Sequence, residues 1–145
     1  MTSIDFYVNV SDKLQYSCLL LCSTYRSGTP AVVTAEPELL HQLDKLLWSF
    51  SSVEFLPHSH KDSPSTTITA SPILLAEQLD TCPSGGLLIN LGQQVPRGFE
   101  RFERFIEVAS SLEADRLAAR NRWKHYRDRG YELKSLELLT TAEAT

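Results

Sequence analysis

Apolar and polar positions along this chain follow two periods, and the changes between them mark its elements. Residues 4–10 are mostly β-branched and aromatic, which predicts a first strand. Ser11 or Asp12 then caps a helix whose apolar positions Leu14, Cys18, Leu21 and Tyr25 keep helical spacing, with Gly28 as its stop. Residues 31–34 form a short buried strand, and Pro37 starts a second helix, where a missing N–H does no harm. Leu39, Leu40, Leu43, Leu46, Leu47 and Phe50 make the apolar stripe of that helix.

Residues 59–65 are polar, include Pro64, and read as a loop; 66–70 and 72–75 are candidate strands. Pro83 and two glycines mark 80–86 as another loop. Residues 87–91 and 105–108 have strand length and composition, and a last helix runs from a Ser111 cap to Gly130. Strands alternating with helices predict a single α/β domain, with a largely parallel (mixed) sheet covered on both faces. No repeat, low-complexity segment or linker divides the chain; residues 1–138 are expected to form the domain and 139–145 a polar, frayed tail.

Composition narrows the function. At 145 residues with 42% hydrophobic and 22% charged, the chain can bury a core without staples. A net charge of −4 argues against a sequence-independent DNA coat, which needs a basic surface. Cys18, Cys22 and Cys82 are too few for a disulfide framework, and Cys18 and Cys22 read as small core residues. The N-terminus lacks a signal-peptide pattern, and no apolar run has membrane-spanning length, so a soluble cytoplasmic protein without membrane contact is expected.

Catalytic patterns are missing. VNVSDK follows the first strand without a glycine-rich turn, while Gly28 and Gly85-Gly86 precede strands, the wrong order for a phosphate loop. His58 and His60 have only Asp62 nearby and read as loop histidines rather than metal ligands. Ser84 does not fit a nucleophile elbow, and Glu54, Glu77 and Glu107 are scattered. No cofactor, metal or catalytic residue is expected.

Two surfaces look suited to partners. Trp48 lies roughly 140° from the centre of its helix's leucine stripe. It either folds over the helix end into the core or stands exposed as an anchor beside Phe55, Leu56 and Pro57. The second surface is the last helix. Arg116, Arg120, Arg122, Lys124, Arg127 and Arg129 face one acid, Asp128, so this window is +5 and the rest of the chain −9. Leu112, Ala119, Trp123 and Tyr126 fall on one arc of about 60°, bordered by Arg116, Arg120, Lys124 and Arg127. A basic stripe beside an aromatic ridge suits an acidic, apolar chain end. A solvated face that complements the helix dipole, and direct nucleic-acid contact, remain as alternatives.

These segments together resemble the chi subunit family of DNA polymerase III. The resemblance lies in DFYVN, LDKLLWSF followed by FLPH, LLINL with a proline soon after, and ARNRWKHYRDRGYEL. It implies a three-layer α/β/α fold with Rossmann-like topology but no nucleotide motif, and a non-catalytic replication subunit. It implies two partners: the psi subunit, as a one-to-one heterodimer joined to the clamp-loader complex, and the C-terminal tail of single-stranded DNA-binding protein. Arg120, Trp123 and Lys124 match the family's tail site, with Arg116 and Arg127 alongside; Trp48 and Phe55 match its psi surface, which in some relatives also takes a helicase-like repair protein. Nucleic-acid contact is then mainly indirect. A nucleotide-fold enzyme and a direct nucleic-acid module are the competing expectations.

Overall fold

The computed structural model describes residues 2–49, 59–60, 73–79 and 85–137. Strand β1 (Ser3–Val10) leads into helix α1 (Lys13–Arg26), then β2 (Ala31–Thr34) and α2 (Pro37–Ser49). Two short strands follow, β3 (Ser59–His60) and β4 (Ile73–Leu75), and then β5 (Leu87–Asn90) and β6 (Arg104–Ser110). Helix α3 (Glu113–Asp128) and β7 (Leu133–Glu137) complete the described chain. The strands form one sheet in the order β3-β4-β2-β5-β6-β1-β7, and every pairing among the described residues is parallel.

Strand alternation separates two cores. Ala31, Val33, Ile73, Leu75, Leu87 and Ile89 pack with Cys18, Leu21, Leu40, Leu43 and Leu47 of α1 and α2. Val32, Leu74, Leu88 and Phe105 pack on the opposite face with Ala119 and Tyr126 of α3. This gives the expected three layers. Strand β1 changes faces within itself. Ile4 and Phe6 join the α3 side, Val10 joins the other, and the register with β6 shifts between Tyr7 and Val10. The extra residue is Asn9, at φ 60, a left-handed conformation that asparagine tolerates better than most side chains.

Local rules account for most boundaries. Asp12 is the N-cap of α1, and its carboxylate accepts the Gln15 N–H at 3.1 Å. Gly86, at φ 72, lies where a Cβ would meet the Pro30 carbonyl oxygen at 2.9 Å, so a side chain there collides with the start of β2. Three expectations need correction. Ser111 does not cap α3: β6 extends to Ser110, Leu112 takes the N-cap position without a side-chain bond, and Asp115 reaches back to the Ser110 N–H at 2.6 Å. Residues 59–60 are not loop but a two-residue edge strand. Strand β7 follows α3 where no strand was expected. The expected strand 66–70, the residues of the 80–86 loop before Gly85, Phe50, the segment holding Phe55 and His58, Cys82, and the tail at 139–145 lie outside the described residues.

Candidate functional site

Helix α3 lies over the β1/β6/β7 side of the sheet and leaves a groove of about 480 Å³ along one flank. The backbone pattern explains it. Phe6 and Val8 of β1 and Ala109 of β6 face this side, and Ala119 is the small residue that α3 presents to them. Trp123 is half-buried: its ring meets Phe6 edge-on at 5.1 Å, and it also lines the groove. Asn9, placed by the β1 bulge, and Ser135 of β7 add polar groups.

Arg116 and Arg120 line the same groove one helical turn apart, and both are exposed. Neither forms an ion pair among the described residues. An apolar floor with an aromatic wall and two available guanidinium groups can take a short segment that is both anionic and apolar. Three of the five expected residues, Arg116, Arg120 and Trp123, therefore meet at one groove. Lys124 is exposed on α3 but is not part of the groove wall. Arg127 is exposed as well, and its Nε lies 3.8 Å from Asp128. Trp48 is in the last turn of α2, but its side chain, like the whole of Phe55, lies outside the described residues.

Arg122 does not belong with the surface cations. It is 2% exposed and faces the core between Ala119 and Tyr126. Its Nε lies 3.0 Å from Glu107 Oε1, and its Nη1 donates to the Gln93 carbonyl at 3.0 Å. Glu107 is wholly buried in β6, where Asn90 Nδ2 donates to Oε1 at 2.9 Å and the Tyr126 hydroxyl donates to Oε2. Burial pushes the Glu107 carboxyl up to about 7, while Arg122 and the hydrogen bonds hold it from rising further. Burial, and then the neighbouring Glu107, push the Tyr126 phenol above its ordinary value. The cluster ties α3 to β6 and to the loop after β5, so it fixes the helix that carries the groove's cations.

Among the described residues, no group of three or more His, Cys, Asp or Glu could hold a metal ion, and no helix is long and apolar enough to cross a membrane. Cys18 and Cys22 are buried and not in a disulfide, and burial pushes Cys18 up to about 12, which disfavours the reactive thiolate.

Sequence comparison adds an independent line. Residues 1–134 match the family described as "DNA polymerase III chi subunit, HolC". The DNA polymerase III subunit chi of Pseudomonas aeruginosa is 32% identical over 143 residues, covering 95% of this chain and 98% of that protein. The corresponding subunit of Haemophilus influenzae is 28% identical over 122 residues, covering 83% and 84%.

Proposed function

The chain belongs to the DNA polymerase III chi subunit family, an accessory replication subunit rather than a catalytic one, and from that premise we propose that it is a cytoplasmic adaptor. One end of the linkage is the C-terminal tail of single-stranded DNA-binding protein; the other is the psi subunit, through which it joins the clamp-loader complex. The observation that carries the tail assignment is the half-buried Trp123 beside Arg116 and Arg120 on one groove.

In this reading the apolar tip of the tail rests on Trp123, Phe6 and Val8, and its carboxylates meet the two arginines. Lys124 and Arg127 stand outside the wall and raise the local positive potential, which speeds encounter. A flexible peptide loses chain entropy on binding, so the affinity is modest, on the order of micromolar or about −8 kcal/mol. Many tails on coated DNA then exchange quickly and bind jointly by avidity. The psi contact is assigned to Trp48 and Phe55 through family resemblance, and a helicase-like repair protein shares that surface.

Fluorescence polarisation with a labelled synthetic tail peptide tests the groove. Arg120→Glu is expected to weaken binding more than about tenfold, and Lys124→Glu by a smaller factor, because of these two residues Arg120 alone lines the wall. Unchanged affinity in both variants refutes the assignment. Bare oligonucleotide is expected to bind the wild-type chain far more weakly than the peptide does; the reverse favours direct nucleic-acid recognition.

A further inference from the structure

The C-terminal ends of β1, β5 and β6 open onto a second cavity, of about 600 Å³, which shares no lining residue with the Trp123 groove. It lies where the N-terminal ends of α1, α2 and α3 converge, the crevice in which open parallel sheets generally bind their ligands. Its shape is braced. Lys13 Nζ lies 3.0 Å from Asp115 Oδ2 and joins α1 to α3, and Glu36 accepts the Gln93 N–H at 3.0 Å. Burial alone would push Asp115 up, but the Ser110 N–H and Lys13 outweigh it and hold its carboxyl below the usual range, so this brace keeps its charge.

The lining is apolar at its centre and acidic at its rim. Leu14 and Leu39 are half-buried there, and Leu112 is 71% exposed. Leu112 occupies the N-cap of α3 with no side-chain cap bond, a position that strongly favours Ser, Thr, Asp or Asn. Departures of this kind concentrate at binding sites, where a contact outweighs local stability. Asp12, Glu36, Glu38 and Asp115 against Lys13 leave the lining at −3. Three helix N-termini at roughly +0.5 each offset about half of that, so the rim stays negative. Phosphates and acidic tails are repelled, whereas a cationic segment is attracted.

We propose that this cavity is a second docking site, which takes an aliphatic side chain from a segment of a partner protein flanked by lysine or arginine. The aliphatic group covers Leu112, Leu14 and Leu39, and the flanking cations meet Glu38, Asp12 and Glu36. The proposal stands apart from the tail reading: the Trp123 groove is basic and this cavity is acidic, so they select opposite partners.

The test is selection from a random peptide library on phage, with the full chain carrying Arg120→Glu as bait so that acidic ligands of the other groove are lost. The expected consensus is an aliphatic residue next to Lys or Arg. A synthetic peptide of that consensus is expected to bind at least about tenfold more weakly when Glu38→Lys and Leu112→Ser are added. Leu112→Ser installs a favoured cap, so thermal melts should show the double variant folded. A consensus without basic residues, or equal binding to the double variant, overturns the proposal. So does self-association of the wild-type chain in sedimentation equilibrium that disappears in the double variant, since the occupant would then be a second copy.

Discussion

Replacing Arg122 with methionine separates a structural cation from the binding ones. Methionine keeps the apolar stem but removes the charge facing Glu107 at 3.0 Å and the bond to Gln93. Breaking one side of a buried ion pair costs about 3–5 kcal/mol. For a chain of this length that lowers the melting temperature by roughly 10–15 °C. The cost should depend on pH, with a sign set by Glu107. Its folded value of about 7 lies above the unfolded 4.5. Its contribution to wild-type stability is therefore full below pH 4.5 and is lost as pH rises through about 7, a change of about 3 kcal/mol. Without Arg122 the folded carboxyl rises further, so Arg122→Met continues to lose stability above pH 7 while the wild type levels off. The difference between the two should grow by about 1.4 kcal/mol per pH unit there. Urea unfolding followed by circular dichroism at about pH 5.5, 7 and 8.5 reads it directly. A difference that stays constant across that range refutes the argument, and adding Glu107→Gln to the variant should abolish the extra slope.

Asp12→Ala removes the cap on Gln15 and should cost about 1 kcal/mol in thermal or urea unfolding. Gly86→Ala combines a left-handed backbone with a Cβ 2.9 Å from the Pro30 carbonyl oxygen, and should destabilise by about 1–3 kcal/mol in the same assay. Trp123→Ala should weaken the tail peptide at least about tenfold by fluorescence polarisation while helical circular dichroism is retained. Raising salt from about 0.05 to 0.3 M should weaken the same complex severalfold, because the guanidinium groups of Arg116 and Arg120 are exposed and screened.

The elements legible in the sequence are those whose local preference agrees with the fold. The β-branched runs at 4–10 and 31–34 and the apolar run at 87–91 hold strands β1, β2 and β5, and Asp12 and Pro37 stand at helix starts. Strand β7 escaped because LKSLE reads as polar: an edge strand buries little, and here only Leu133 packs against the core. Ser111 is not the cap because β6 runs to Ser110, and Asp115 accepts the buried Ser110 N–H from inside the helix. Leu112 likewise left the apolar arc assigned to it, since it precedes the first helical turn and stays 71% exposed.

Arg122 departs from the other cations of α3, and the sequence carries a signal for it. It lies three residues after Ala119 and four before Tyr126, on the face those two bury. An arginine on a buried face requires a buried acid, and Glu107 interrupts the otherwise apolar stretch FIEVA. At the groove, Arg116, Arg120 and Trp123 follow from helical spacing, whereas Asn9 and Ser135 depend on sheet order that spacing does not reveal.

The sheet order also bears on how the chain is made. Of the described strands β1 emerges first from a ribosome, yet both its neighbours, β6 and β7, come about a hundred residues or more later, with Ile4 beside Phe105 and Leu133. At a translation rate of roughly 5–20 residues per second it waits several seconds or more with both edges unsatisfied. The pairing of β6 and β7 with β1 thus acts as the closing step of folding, and the Trp123 groove, built from β1, β6, α3 and β7, exists only after that closure. Nascent or truncated chains lacking the final strands should be unable to capture a partner at that site and should expose a sticky apolar ribbon that invites chaperones.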